Sequence, residues 1–348
     1  MGVVGAGAVG ARCARQLLST DGVATVVVAD PLPGRAEEVV ASLGPGARAV
    51  TGSATATVDE PLDVDVVVLC GPAGTHVGPA AVHLAAGCPV VSTSDDVDDV
   101  RALLGLDATA AANDVALVVG AGFSPGLSDL LAVHGAARLD AVSEIHVARM
   151  GTGGPACASS HHRALRATSV DWRDGDWVRR PAGSGRELVW FPDPIAARDC
   201  YRAALPDALL LAPAFPGVGR VTARLAATRR DRLTSRLPML RRPHPDGGPG
   251  ALRVELRGTV DGAHEVLVFG AMDRPAVAAG AVAAVAAVAL ADGSALRRGA
   301  AGMASLFEPL PLLRDLASRG VRCAVFDPAG APAGTPPAAP AATPESER

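Results

Sequence analysis

Short runs of consecutive apolar residues alternate with amphipathic stretches over positions 3–119. Uniformly apolar runs are typical of parallel strands covered on both faces, and the stretches between them repeat apolar residues at helical spacing. One such helix presents Val9, Cys13 and Leu17 on a single face. The pattern predicts an α/β fold that begins with a Rossmann-type doubly wound parallel sheet. Its predicted strands are 3–4, 24–29, 47–50, 65–70, 89–92 and 116–119.

Beyond position 143 the pattern changes to strands with alternating polar and apolar residues, joined by the turns Asp174-Gly175 and Asp261-Gly262. This alternation predicts a second, α+β domain with a mainly antiparallel sheet. Helices follow at 275–291 and 303–319, then a strand at 321–326. We expect a dinucleotide-binding domain at 1–140, a substrate and dimerisation domain at 141–327 whose terminal helices can return to the first domain, and a disordered tail at 328–348, where Pro, Ala, Gly and Thr prevail.

The composition excludes several classes of protein. A length of 348 residues favours two domains, and a net charge of −4 provides no general attraction to nucleic acid or to an anionic membrane. The chain contains no lysine. Schiff-base enzymes, pyridoxal phosphate enzymes and P-loop proteins all need that amine and are excluded.

The six cysteines lie far apart without zinc-binding spacing, so we expect reduced thiols, no metal site and a cytoplasmic protein. The chain begins without the basic region or cleavage site of a secretory signal. The apolar run 275–291 is slightly short for a membrane span and is interpreted as a buried or subunit-interface helix. A cluster of acids is interpreted as the start of a helix. It comprises Asp95, Asp96, Asp98 and Asp99.

The turn Gly5-Ala6-Gly7-Ala8-Val9-Gly10 lies between the first strand and the first helix. Glycines there let the chain approach a pyrophosphate at a helix N-terminus, and Asp30 ends the second strand at the spacing expected of the residue that binds the ribose. The sequence therefore predicts NAD or NADP as cofactor. Asp30 favours NAD, whereas Arg35 either binds the 2′-phosphate of NADP or is a solvated charge.

Two loops follow later strands at the sheet edge where doubly wound folds bind ligands. In the loop at 70–76 we expect cofactor contacts from Cys70, Gly71, Pro72 and His76, although His76 alternatively only packs near a helix start. The loop at 120–126 precedes a helix, for which Ser124 is the expected N-cap and Pro125 the first residue. We expect it to supply Gly122 and Phe123 to the cofactor, and Ser124, Pro125, Gly126 and Asp129 to the substrate.

The glycine turn followed by Arg12, the loop at 71–76 and above all the segment at 120–131 resemble the saccharopine dehydrogenase (saccharopine reductase-like) family. The resemblance is strongest over residues 1–135. It implies a bilobal dehydrogenase or reductase acting at carbon–nitrogen bonds of amino acid or polyamine derivatives, with a second domain that supplies the substrate pocket and often a dimer interface. The absence of lysine departs from the Lys/His pair of lysine-forming members. The same absence argues against the sugar-oxidising Gfo/Idh/MocA family and against short-chain dehydrogenases.

Hydride transfer to an imine or carbonyl needs a proton donor, and histidine suits this role near neutral pH. The segment at 151–162 combines a glycine-rich loop with Cys157, His161 and His162, which we take as the catalytic candidates. The alternative is a loop leading to the substrate with partly exposed histidines.

Eight arginines accompany one acid, Asp231, between positions 220 and 242. The pairs Arg220/Arg224 and Arg232/Arg236 have the spacing of shared helix faces. The patch is either an anion site, with Arg224 binding substrate, or a solvated face.

These patterns lead to two hypotheses. In the first, the protein is an NAD(P)-dependent oxidoreductase that acts on a small amino, imino or oxo acid or a polyamine-like substrate, as a homodimer without nucleic-acid or membrane partners. In the second, it is a catalytically silent dinucleotide-binding sensor or scaffold.

Overall fold

The computed structural model describes residues 1–50, 60–239 and 242–326. The tail predicted at 328–348 lies outside these residues. Among the described residues, no helix combines the length and the apolarity that crossing a membrane requires.

The first sheet has seven strands, and every pairing in it is parallel. Its strands are β1 (Gly2–Val4), β2 (Val26–Ala29), β3 (Ala47–Ala49), β4 (Val67–Leu69), β5 (Val90–Ser92), β6 (Ala116–Val119) and β15 (Gly299–Ala301). Their order across the sheet is β15-β6-β5-β4-β1-β2-β3, the doubly wound arrangement that the apolar runs predict. The carboxyl ends of β1, β4, β5 and β6 therefore meet at one edge of the sheet.

Helices cover both faces of this sheet. They are α1 (Ala8–Leu18), α2 (Arg35–Leu43), α3 (Val77–Ala85), α4 (Val97–Leu104), α5 (Asp107–Ala112) and α6 (Leu127–Ala136). In α1 the buried side chains are Cys13, Ala14 and Leu17, because apolar residues at this spacing form one stripe toward the sheet. The α1 N-terminus is thereby aimed at the carboxyl edge of the strands.

The last third of the chain returns to the first sheet. Helix α10 (Pro275–Ala291) has the predicted bounds and is largely buried within the chain itself. It packs closely on α1 because Gly280 lacks a side chain: a Cβ there would lie 2.8 Å from Arg12 Cβ. The predicted helix at 303–319 is two helices, α11 (Met303–Leu306) and α12 (Pro309–Ser318). Pro309 has no N–H to continue the first helix.

The second sheet has nine strands and is mixed but mainly antiparallel. Its strands are β7 (Ala141–Met150), β8 (Thr168–Arg173), β9 (Asp176–Pro181), β10 (Glu187–Trp190), β11 (Ala197–Arg202), β12 (Arg220–Ala226), β13 (Gly250–Val260), β14 (Ala263–Asp273) and β16 (Cys323–Phe326). The order is β10-β11-β12-β7-β13-β14-β16, with β8 joining β9 to β12. Both predicted hairpin turns are present, and Asp174 and Asp261 adopt positive φ there.

Three helices are inserted among these strands. They are α7 (Pro155–Ala164), α8 (Asp207–Ala214) and α9 (Arg229–Thr234). Helix α7 follows β7 through the loop 151–154, so the end of β7 and the start of α7 approach the carboxyl edge of the first sheet.

The structure corrects two local expectations. Helix α6 begins after Gly126, whose φ is +120°, so Ser124 is not its N-cap and Pro125 is not its first residue. Instead, Ser124 Oγ donates a hydrogen bond of 2.6 Å to Asp207 Oδ1 on α8. Arg220 and Arg224 belong to strand β12, so they share no helix face.

Candidate active site

The glycine turn between β1 and α1 has no room for side chains at two of its positions. Gly5 has a φ of +103°, and a Cβ there would lie 2.8 Å from the Cys70 carbonyl carbon. A Cβ on Gly10 would overlap the Gly5 carbonyl oxygen. Gly10 therefore lets the helix pack against the turn, although it does not itself line the cleft described below.

The N-terminus of α1 is available to an anion. Its N-cap is Gly7, no side chain among the described residues caps it, and its first turn contains no acid. The turn residues Gly7, Ala8 and Val9 line an open cleft. Unsatisfied N–H groups and the helix dipole at such a position favour a bound phosphate, so the residues present fit a dinucleotide's pyrophosphate.

Asp30 ties the end of β2 to the glycine turn. Its Oδ2 accepts a hydrogen bond of 2.6 Å from the Ala6 N–H, and its Oδ1 accepts one of 2.9 Å from the Leu32 N–H. Asp30 and Arg35 both line the cleft beside the turn. The carboxylate is thus held where a ribose next to the pyrophosphate would lie.

The cleft has a volume of about 710 Å³ and lies between the two sheets. The edge of the first sheet supplies the glycine turn and the loops after β4, β5 and β6. The second part of the chain supplies the end of β7, the loop 151–154 and one face of α7. Most of the predicted site residues line it: Gly5, Gly7, Ala8, Val9, Asp30, Arg35, Cys70, Gly71, Pro72, Gly122, Phe123, Ser124, Cys157 and His161.

Cys157, His161 and Asp95 form a cluster on the wall of this cleft. Cys157 and His161 are one turn apart on α7, with Cys157 Sγ 3.6 Å from His161 Nε2. The same nitrogen lies 3.6 Å from Asp95 Oδ2, which belongs to the loop after β5. The cluster therefore joins one helix of the second part of the chain to the edge of the first sheet.

Mutual electrostatics shift the pKa of each member. Burial opposes charge on His161, but Cys157 and the hydrogen bond to Asp95 outweigh it and raise the pKa of His161 to about 9. Burial likewise opposes ionisation of Cys157, yet His161 lowers the pKa of the Cys157 thiol below its usual value. Despite burial, Arg149 and His161 lower the pKa of Asp95 to about 2. At neutral pH the cluster therefore holds a protonated imidazole between two acids.

Arg149, near the end of β7, links the cluster to the loop after β6. It is 5% exposed, and its Nη2 donates to Asp95 Oδ2 at 3.1 Å. Its Nη1 donates to the Ser124 carbonyl oxygen. Among the described residues, Arg149 Nε is buried without a hydrogen-bond partner.

The donor atoms of Asp95, Cys157 and His161 lie within 4.8 Å of one another, which is close enough for all three to bind one metal ion. Sequence spacing did not reveal this set, because the three residues come from separate segments. The Arg149 guanidinium on Asp95 already supplies a positive charge that opposes a cation. We therefore interpret the set as a proton-transfer cluster.

The structure does not bring all predicted residues to the cleft. His76 is buried behind it, where its Nδ1 lies 2.9 Å from Ser92 Oγ and its Nε2 2.9 Å from the Gly71 carbonyl oxygen. Burial lowers the pKa of His76. The neutral imidazole thus holds the 71–76 loop against β5, the packing role that was its alternative interpretation.

The predicted substrate residues beyond Ser124 also lie outside the cleft. Pro125 and Gly126 form the turn before α6, and Asp129 is completely buried beside Asp207. Arg224 is 5% exposed and pairs with Asp171, 3.4 Å away. These residues support the fold around the site.

His162 faces away from the cleft. Its Nε2 lies 2.7 Å from the Leu237 carbonyl oxygen, and it lines a separate cavity of about 390 Å³. His161 and Gly151 line both cavities, so the second cavity adjoins the cleft beside His161. Its other lining residues include Arg230 and Asp231.

Sequence reasoning missed Asp95 and Arg149 as site residues. Asp96 is the N-cap of α4 and accepts from the Asp98 and Asp99 N–H groups, as a helix start requires. Asp95, one residue earlier, was interpreted together with that cap. Its position directly after a parallel strand was the available signal. No sequence signal marked Arg149.

Comparison with known proteins gives one match to a family model. Residues 1–104 match the model of the Gfo/Idh/MocA oxidoreductase family, described as having an NAD-binding Rossmann fold. The first domain is an NAD-binding Rossmann domain of an oxidoreductase. The lack of lysine had argued against this family. The match over residues 1–104 corrects that argument, because it shows similarity to this family in a chain without lysine.

The fold of the whole chain is similar to that of apo saccharopine dehydrogenase (L-Glu forming) from Saccharomyces cerevisiae. The two are 16% identical, the match covers 94% of this chain and 99% of that one, and the TM-score is 0.69. The resemblance inferred from the sequence is thus confirmed at the level of the fold.

More distant similarities are found to two other enzymes. DAP dehydrogenase from C. glutamicum, in complex with DAP, is 16% identical, with 91% of this chain and 98% of that chain covered and a TM-score of 0.48. GenD2 from gentamicin A biosynthesis, in complex with NAD, is 18% identical, with coverages of 94% and 95% and a TM-score of 0.45. The search of curated proteins gives no match.

Proposed function

We propose that this NAD-dependent oxidoreductase transfers a hydride to or from a small amino, imino or oxo acid, with Cys157, His161 and Asp95 handling the proton. The observation that carries the proposal is the position of the protonated cluster on the wall of the dinucleotide cleft. Hydride addition to an imine or carbonyl leaves a nitrogen or oxygen that must gain a proton. A group that is charged at neutral pH and lies in that cleft can provide it.

Each residue has a separate part in this scheme. His161 donates the proton from Nε2 to the substrate in reduction and accepts it in oxidation. Cys157, 3.6 Å from that nitrogen, stabilises the protonated imidazole, and solvent water returns the proton to His161 after each reduction. Asp95 and Arg149 orient His161 without touching substrate. The bound nicotinamide cofactor supplies or accepts the hydride.

The cavity beyond His161 supports a small amino acid derivative as substrate. It offers Arg230 as a cation and Asp231 as an anion, together with the hydroxyl group of Thr234. A substrate carrying both a carboxylate and an amino group would be complementary to such a lining. Polyamine-like compounds, which lack the carboxylate, would use only the acidic part.

Turnover assays test the proposal. Purified protein is mixed with NADH or NADPH and a panel of oxo acids with ammonia or amino acids, and oxidation of the cofactor is followed at its absorbance band. We expect turnover with at least one pair, and its loss by roughly 10²-fold or more in His161→Gln. His264→Gln is the matched control, since this exposed histidine lines neither cavity. Tight NADH binding without turnover across the panel would favour the sensor or scaffold hypothesis.

The proposal extends to assembly and location. Strand β10 is an edge strand whose Leu188 and Trp190 are 60% and 55% exposed, and an apolar edge of this kind supports pairing with a second copy in a homodimer. All six cysteines are unpaired, which supports a cytoplasmic location. Light scattering of the wild type and of Trp190→Glu tests the dimer, which the substitution should dissociate.

A further inference from the structure

A further cavity, distinct from both the dinucleotide cleft and the cavity beside His161, is surrounded by arginines. It has a volume of about 720 Å³ and shares no lining residue with that cleft. Its lining contains no acid. The lining arginines are Arg166, Arg179, Arg180, Arg229, Arg232 and Arg236.

Three separate elements bring these arginines together. Arg166 follows the C-terminal end of α7, and Arg179 and Arg180 lie on β9. Arg229 and Arg232 lie on α9, with Arg236 two residues beyond its end. The sequence showed only the spacing of Arg232 and Arg236, and the shared helix face expected for this pair is wrong, because the helix ends at Thr234. The convergence with β9 and α7 is tertiary.

Within the described residues, these six arginines are without a carboxylate partner. None of the six forms an ion pair with any residue in the ranges 1–50, 60–239 and 242–326. The nearest acid in sequence, Asp231, accepts hydrogen bonds from Thr228 in the cap of α9. The positive charge around the cavity is therefore uncompensated by these residues.

Like charges gathered around one cavity repel each other over distances of about 8 to 10 Å at physiological salt. A ligand with several negative charges relieves this repulsion, and guanidinium groups bind phosphate oxygens in pairs of charge-assisted hydrogen bonds. The lining also includes Leu165 and Leu233, and Leu233 is 80% exposed. Such leucines can cover the apolar part of a ligand.

We propose that this cavity is a binding site for a small molecule carrying two or more phosphate groups. The phosphates lie among the six arginines, and the leucines contact any nucleoside attached to them. Two sources share this chemistry: a free oligophosphate and a nucleoside polyphosphate. The site is independent of the dinucleotide cleft and of the proposed reaction.

Calorimetric titration of the full chain tests this site. Saturating NADH is present throughout, so that the dinucleotide cleft is occupied, and the probes are inorganic tripolyphosphate, ATP and a single-stranded oligonucleotide. We expect tripolyphosphate and ATP to bind, with affinities that fall as salt rises. Equal affinities would assign recognition to the phosphates alone. Tighter binding of ATP would assign a contribution to the leucines.

Substitutions locate the binding. Arg179→Ala/Arg180→Ala and, separately, Arg229→Ala/Arg236→Ala should each weaken ATP binding about tenfold or more, because each removes two charge-assisted contacts. Arg173→Ala is the matched control, since this arginine lies on the same hairpin outside the cavity. Two double variants are used in case one of them fails to fold. Unchanged NADH binding shows that a variant is folded. The proposal would be overturned if neither tripolyphosphate nor ATP bound, if both double variants bound ATP as tightly as the wild type, or if the oligonucleotide bound more tightly than either.

Discussion

His161 Nε2 lies 3.6 Å from Cys157 Sγ, and the two residues are separated by one turn of the same helix. The i, i+4 spacing places both side chains on the face of α7 that looks into the dinucleotide cleft. Asp95 lies in the loop after β5, at the edge of the first sheet, and its Oδ2 is 3.6 Å from the same nitrogen. The acid–base properties of the cleft follow from this local pair and its long-range partner.

Alkylation should detect the lowered pKa of Cys157. His161 favours the thiolate, so the rate of Cys157 reaction with iodoacetamide should level off at a pH below 9, the usual thiol value. In His161→Gln the inflection should move upward. Cys88 is an internal control, because burial raises its pKa to about 11. Peptide mass spectrometry measures both rates, and a Cys157 inflection unaffected by the substitution would contradict the pairing.

The pH dependence of turnover should report His161. Its raised pKa keeps the imidazole protonated up to about pH 9. The kcat/KM for reduction, which uses the protonated form, should therefore fall as the pH rises through about 9, while that for oxidation should rise. Stopped-flow or steady-state rates between pH 6 and 10 measure both limbs. His264→Gln, at an exposed histidine outside both cavities, should retain the profile. Persistence of the profile in His161→Gln would remove His161 from proton transfer.

Replacing the buried Asp129 or Asp207 by asparagine should change the stability of the protein in opposite directions. Burial and the neighbouring Asp207 raise the pKa of Asp129 well above its usual value, so the wild type loses stability as the pH climbs from 3.8 through that raised pKa. Asp129→Asn removes this loss and should stabilise the protein at neutral pH by about 1 kcal/mol or more. Urea unfolding at pH 4 and pH 8 measures the difference.

Asp207→Asn is the contrasting variant. Asp207 Oδ1 accepts hydrogen bonds from Ser124 at 2.6 Å and from Ser128 at 3.2 Å. Weakening these buried bonds should destabilise the protein by about 1–3 kcal/mol. A destabilisation by Asp129→Asn at pH 8 equal to that by Asp207→Asn would contradict the raised pKa of Asp129.

Gly10→Ala should break the glycine turn. A methyl group there would overlap the Gly5 carbonyl oxygen, so we expect a loss of about 2 kcal/mol or more in stability together with the loss of NADH binding. Gly248→Ala is the control, because a Cβ at Gly248 meets no atom within 4 Å. Thermal melts and NADH fluorescence titrations compare the two. Normal NADH binding by Gly10→Ala would refute the close packing of α1 on the turn.

The choice between NADH and NADPH should depend on Asp30 and Arg35. The Asp30 carboxylate repels a 2′-phosphate, so the wild type should have the lower Michaelis constant for NADH. Asp30→Ala should reduce the ratio of the Michaelis constants for NADPH and NADH by about tenfold, because it removes a repulsion of about 1.4 kcal/mol. Arg35→Ala should leave NADH use unchanged. A wild-type preference for NADPH would reverse the role assigned to Asp30.

Local errors in the sequence interpretation have identifiable physical causes. The four-residue spacing of Val77, Ala81 and Ala85 in the sequence predicts that they form the buried face of α3. In the structure, Ala80, His83 and Leu84 are buried instead. Helix α3 has small apolar residues on several of its sides, so the sequence pattern alone did not determine which side is buried. Ser124 has the residue type of an N-cap, but a buried carboxylate 83 positions away binds its hydroxyl instead.

The sequence by itself determined the parts of this protein that depend on neighbouring residues. Apolar runs with helical stretches between them define the parallel sheet, and three glycines between a strand and a helix define the dinucleotide turn. Cys157 and His161 share a helix face because they are four positions apart in the sequence. Only the tertiary structure decided which partners meet across long separations. It brought Asp95 and Arg149 to His161, returned β15 to the first sheet, and gathered arginines from three elements around one cavity. These contacts depend on how whole elements pack, which the local sequence pattern does not encode.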